Sequence, residues 1–225
     1  MDIDELLDLL RKELDDTAEP CLWTDEDLIS YLDEAQEAYA RITKQFLDMS
    51  TVAVTQLTVT AAGPWVTLNN KVIEVKTAYM QTAAKELALI NQAELADVGT
   101  SSDYNSVATG AWRTRTGVPE YGVLDLEDGK IRLIPIPTAT DTLDLSVVRR
   151  PLLSVEEAGG LEVTDRFGQR SLIDYAKSRA YDINDVDKQD APLADKFAAS
   201  AARRMHEIAE TLVKRRRPPS TTSIE

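Results

Sequence analysis

The apolar residues of this chain change period twice, and that change limits the fold more than any other feature. Near the start they recur every three or four positions: Leu6, Leu7, Leu10 and Leu14, then Leu28, Leu32, Ala35, Tyr39, Ile42 and Phe46. Such spacing lays one apolar stripe along an α-helix. From Thr51 the period falls to two, in Val52, Val54, Leu57 and Val59, in Ile73, Val75 and Tyr79, and in Leu143, Leu145 and Val147. Alternation of this kind buries one face of a β-strand. Helical spacing returns after Thr164, through Leu172, Ile173, Ala176 and Ala180, then Leu193, Phe197, Ala201, Met205, Ile208 and Leu212.

Local signals sharpen the boundaries. Pro20 ends the first helix, and Thr24 is a good N-cap for the second, with Asp25, Glu26 and Asp27 in its positive first turn. Asp128-Gly129 between alternating runs signals a hairpin, and Pro218-Pro219 stops the last helix. The expected fold is α+β and mostly α. It is an antiparallel helix bundle, with helices near 2–16, 25–49, 165–184 and 191–216, carrying an inserted antiparallel β-rich domain. Its domains would be a discontinuous helical part, 1–50 with 154–216, an insertion over 51–153, and an extended arm over 217–225. Within the insertion, 87–98 reads as a short helix. The segment 99–117 has no periodicity and is rich in Gly, Ser, Thr and Arg; it reads as a mobile loop.

Composition removes several classes. Of the 225 residues 43% are hydrophobic and 28% charged, enough apolar material to offset chain entropy. The apolar runs are far shorter than the ~20 residues of a membrane-spanning helix. The acidic start, Met1-Asp2-Ile3-Asp4-Glu5, does not resemble a signal peptide, so synthesis in the cytoplasm is expected. One cysteine, Cys21, supports neither a disulfide nor a zinc cluster.

The charge is −14 and unevenly spread. Residues 1–37 hold fourteen Asp or Glu against Arg11 and Lys12, whereas residues 196–217 hold seven Lys or Arg against Glu207 and Glu210. An acidic excess argues against wrapping nucleic acid, since counterion release needs clustered Lys and Arg. Opposed patches can pair within a subunit, between copies, or with a partner.

Catalytic chemistry is hard to find. GxGxxG, GxxxxGK[ST] and GxSxG are all missing. His206, beside Arg203 and Arg204, reads as a helix-surface residue, and Cys21, with acidic neighbours, as a packing residue. Asp182, Asp185, Asp187 and Asp190 lack the glycine and final glutamate of a calcium loop, and read as a solvated turn whose last Asp caps a helix. No enzyme activity, cofactor or metal is expected. Two clusters instead read as partner-binding surfaces: Trp112 with Arg113 and Arg115 in the polar loop, and the basic run Lys214, Arg215, Arg216 and Arg217. Trp23, just before the N-cap, is expected to staple the start of the second helix.

Three blocks then match a family in order. Trp23-Thr24-Asp25-Glu26-Asp27-Leu28 with Tyr31-Leu32-Asp33-Glu34-Ala35-Gln36-Glu37 is the first. The second runs from Gly117-Val118-Pro119-Glu120-Tyr121 through Gly129-Lys130-Ile131-Arg132-Leu133-Ile134-Pro135-Ile136-Pro137 to Arg150-Pro151-Leu152. The third is Leu172-Ile173-Asp174-Tyr175-Ala176 with Arg179-Ala180-Tyr181 and Asn184-Asp185. Together they resemble the head-to-tail adaptor, or connector, proteins of tailed phages. The resemblance covers about half the chain and leaves out 80–116 and the basic run. It implies a virion protein in the neck, forming a homo-oligomeric ring, usually of twelve copies, between the portal protein and a tail or nozzle protein. DNA would pass through its lumen without sequence-specific binding, and no membrane is involved. The alternative is a helical interaction module outside the virion, such as an assembly chaperone or regulator.

Overall fold

The computed structural model describes residues 2–95, 111–183 and 189–216. The chain divides into two compact units, one formed by Met1–Phe46 with Arg150–Glu225 and the other by Leu47–Arg149.

In the first unit, helix α1 (Ile3–Leu14) starts at Asp2, whose carboxylate accepts from the Glu5 amide at 2.9 Å. Helix α2 (Asp25–Thr43) begins with a reciprocal cap: Thr24 Oγ1 accepts from the Asp27 amide at 3.1 Å, and Asp27 Oδ2 accepts from the Thr24 amide at 3.3 Å. Lys44, in the left-handed region at φ 52°, stops α2 short of the expected residue 49. Three more helices follow the β-rich segment: α4 (Val155–Ala158), α5 (Arg166–Tyr181) and α6 (Ala191–Arg216). One cluster joins Leu6, Leu10 and Leu14 to Leu28, Leu32, Ile173 and Ala176. A second joins Ala35 and Tyr39 to Val163, Leu172 and Met205. The leucine stripes are therefore the facing surfaces of α1, α2 and α5. Trp23 is buried, its Nε1 donating to the Ala180 carbonyl at 3.2 Å, and it meets Tyr181 edge-on.

The second unit is built on an eight-stranded sheet. Its strands are β1 (Leu47–Asp48), β2 (Gln56–Val59), β3 (Trp65–Thr67), β4 (Val72–Met80), β5 (Lys85–Ile90), β7 (Tyr121–Val123), β8 (Lys130–Ile134) and β10 (Asp141–Arg149). They run in the order β1-β10-β4-β5-β7-β8-β3, with β2 also on β10. A separate parallel pair joins β6 (Thr116–Gly117) to β9 (Ile136–Pro137). The turn of helix α3 (Val52–Thr55) lies between β1 and β2 in the chain. The Asp-Gly hairpin forms between β7 and β8, with Val123 opposite Arg132 and Gly129 at φ 69°.

The expected fold, a mostly α antiparallel bundle carrying an antiparallel insertion, is overturned. The protein is 43% helical and 24% strand, and its sheet is large, curled and mixed. The physical reason is β5. Residues 85–90 are rich in Lys, Glu, Leu and Ala, which favour helix locally, so the segment reads as the start of one. It forms a strand because both edges find partners: antiparallel β4, with Ala78 opposite Leu87, and parallel β7, with Leu89 opposite Gly122. The parallel pairing of β5 with β7 makes the sheet mixed, which an all-antiparallel insertion excludes. The run from Val52 is corrected too, since Val52–Thr55 turns as a helix before β2 begins.

Candidate interaction surfaces

The basic end of α6 is exposed at Lys214, Arg215 and Arg216; Arg217 lies outside the described residues. Arg216 Nη2 donates to the Lys44 carbonyl at 3.0 Å and to that of Gln45 at 3.4 Å. These carbonyls lie at the left-handed end of α2, where backbone donors run out, so a cation there satisfies both charge and hydrogen bonding. Arg215 borders a cavity of about 340 Å³ with Gln45, Asp165, Phe167, Glu207 and Leu212. One residue of the run thus already has a partner in its own chain, while Lys214 and Arg215 face solvent.

Part of the acidic front is paired within its own unit. Arg11 holds Asp16 at 2.9 Å and Asp25 at 2.6 Å. Glu13 meets Arg170, and also Lys177 at 3.0 Å; burial pushes its carboxyl up, but the two cations outweigh that and hold it below the usual range. Arg179 holds Glu34 at 2.9 Å. Buried Asp174 accepts from Ser200 Oγ at 2.8 Å and Arg204 Nε at 3.1 Å. Among the described residues, three of the cations that answer residues 1–37 come from α5 and none from the basic end of α6.

Trp112, Arg113 and Arg115 belong to the sheet unit. Within the polar segment 99–117, residues 99–110 lie outside the described residues. Ala111–Arg113 form a 3-10 turn, and the Arg115 carbonyl accepts from the Ile136 amide at 2.8 Å. Trp112 is half-buried against Leu95, Val123 and Ile134, which gives it an intramolecular role as well as an exposed edge. The Arg113 guanidinium lies 5.0 Å from the Trp112 ring centre, and that of Arg132 lies 5.1 Å from it. Arg132 also lies 5.2 Å from the Trp65 ring. Burial, and then the charge of Arg113, hold the Arg132 guanidinium below its usual basicity.

Arg132 and Trp65 were not among the residues expected to bind a partner. The signal that could have found them is the strand register, which sets Trp65 directly opposite Arg132, and register between distant strands is not written locally. His206 is exposed, as a surface residue should be. Cys21 is exposed also, which corrects its reading as a packing residue. Of the acidic turn, Asp185 and Asp187 lie outside the described residues; the Asp190 carboxylate accepts from the Leu193 amide at 3.0 Å in the first turn of α6. Among the described residues no group of three or more His, Cys, Asp or Glu is placed to hold a metal ion. No described helix is long and apolar enough to cross a membrane.

Arginine and tryptophan are enriched where proteins meet other chains. The chain matches the SU10 adaptor protein family over residues 1–223 and belongs to that family. It is a phage structural adaptor of the head-tail class, as the resemblance of the three sequence blocks implied. No curated protein matches the chain at a significant level.

Proposed function

We propose that this protein forms a ring between the portal and the tail of a tailed phage, with a lumen through which DNA passes. The observation that carries the reading is the family match over residues 1–223. The portal protein and a tail or nozzle protein are its partners, and other copies of itself complete the ring. It catalyses nothing and needs no cofactor. A net charge of −14 suits a conduit, because like charge discourages the duplex from adhering during ejection. The same charge makes free copies repel, so assembly calls for local complementarity and for a template that raises local concentration.

Mass spectrometry and electron microscopy of purified virions test this reading. A fixed copy number in the neck is expected. A protein needed for assembly but missing from the finished particle would instead be a chaperone outside the virion, and the ring would be refuted.

A further inference from the structure

Arg113 and Arg132 present two positive charges side by side, and neither has a carboxylate within ion-pair distance among the described residues. Arg132 Nη2 donates to the Arg113 carbonyl at 3.1 Å, and its buried Nε has no hydrogen-bond partner. Both guanidinium groups rest on Trp112, and Arg132 also rests on Trp65. Stacking on indole suits a weakly hydrated, planar cation and fixes its orientation in advance. In a chain with 39 acidic residues against 25 basic ones, two adjacent cations without a carboxylate are an imbalance that folding alone does not require.

The complementary imbalance lies on α1. Asp4, Glu5 and Asp8 are exposed, within about one helical turn of each other, and none forms an ion pair among the described residues. Like charges at this spacing repel. The fourth acid of α1, Glu13, has cationic partners, so on this helix Asp4, Glu5 and Asp8 are the carboxylates without one among the described residues.

We propose that Arg113 and Arg132, held on Trp65 and Trp112, receive the Asp4–Glu5–Asp8 face of α1 from a second copy of this chain. The contact is heterologous, one surface meeting a different one, so repetition closes a ring or extends a filament. It deepens the ring reading and rests on it. Arginine and tryptophan set in advance are the groups that dominate interface energies, and the carboxylates supply the charge they lack.

Charge reversal in the full-length chain tests the contact, read by sedimentation at several hundred micromolar and low salt. Wild-type chain should self-associate weakly, and less at high salt. Arg113→Glu, at an exposed position that leaves the stacked Arg132 in place, should weaken association about tenfold or more, as should Asp4→Lys/Asp8→Lys. An equimolar mixture of the two variants should recover it, because each brings the surface the other lacks. A wild-type chain that stays monomeric, variants that associate like wild type, or a mixture without recovery would each overturn the proposal. So would an Arg113→Glu chain that sediments as wild type but loses binding to duplex DNA, since the anion would then be phosphate. Copy number in the virion separates this from the ring itself: a neck ring with no recovery in the mixture removes the contact alone.

Discussion

Removing the Asp48 carboxylate should unfold the sheet unit more readily than its size suggests. Asp48 is 5% exposed and gathers five donors at the start of that unit. Its oxygens accept from the Ser50 amide at 2.9 Å, Ser50 Oγ at 3.3 Å, the Thr51 amide at 3.0 Å, Thr51 Oγ1 at 2.6 Å and Arg149 Nε at 2.6 Å. One carboxylate thus folds the turn before α3 and ties β1 to the far end of β10. Burial pushes its acidity down, but the Thr51, Ser50 and Arg149 donors outweigh that and hold the carboxyl well below the usual range.

Breaking a buried ion pair by removing one partner costs about 3–5 kcal/mol. Ser50 is exposed and Thr51 half-buried, so water replaces some of the lost acceptors, and Asp48→Ala should cost near the lower figure, about 3 kcal/mol. For a unit of this size that lowers the melting temperature by roughly 10–20 °C. Because the folded carboxyl is more acidic than the unfolded one, its contribution is complete above about pH 4 and is lost progressively as pH falls below that toward the folded value. Hydrogen exchange on peptides from β1, β2 and β10 reads the loss locally, and melting between pH 2 and 7 reads its titration. The reasoning fails if Asp48→Ala costs under about 1 kcal/mol, or if Asp48→Asn melts with the same acid dependence as wild type.

Three further outcomes follow from single contacts. Buried Tyr39 donates its hydroxyl to Gln45, and burial, then the nearby Asp165 charge, push its pKa up to about 12. A raised folded value means stability is intact below about pH 10 and lost toward pH 12, by roughly 2–3 kcal/mol; denaturation midpoints for Tyr39→Phe should fall less steeply than those of wild type across that window. At Gly122 in β7 an added Cβ would sit 3.1 Å from Leu89 Cδ2 and 3.2 Å from Ile131 Cγ2, so Gly122→Val should destabilise by about 1–3 kcal/mol in urea titration. Arg216→Ala loses only exposed hydrogen bonds to Lys44 and Gln45, and should change melting by less than about 1 kcal/mol while testing whether loading onto portals needs that residue.

How much of this could be read from the sequence depends on how local each cause is. The Thr24 cap, the leucine stripes of α1 and α2 and the Asp-Gly hairpin are decided by residues a few positions apart, and all three are present. Strand β5 is decided by β4 and β7, and β7 is some thirty positions away, which local propensity cannot anticipate. Val52–Thr55 is the reverse case. Its β-branched residues favour strand, yet the amides of Val54 and Thr55 bond back to the Thr51 carbonyl and close a helical turn.

The same division of local from distant causes governs the interaction surfaces. The charge of residues 1–37 is plain in the sequence, but which of it is free is not. Glu13, Asp16, Asp25 and Glu34 are answered by Arg11, Arg170, Lys177 and Arg179. Most of those cations sit 145 to 164 positions away and become neighbours only because α5 packs on α1 and α2. A sum over the sequence therefore overstates the acidity α1 and α2 can offer a partner, and does not show that Asp4, Glu5 and Asp8 are what α1 leaves unpaired. Trp112 and Arg113 could be named from composition, whereas the second cation, Arg132, joins them through strand register. A pair of guanidinium groups with fixed orientation differs in kind from a solvated arginine in a loop. Stacked on indole in advance, it loses little freedom on meeting a carboxylate, and the sheet that brings β3 beside β8 is what prepares it.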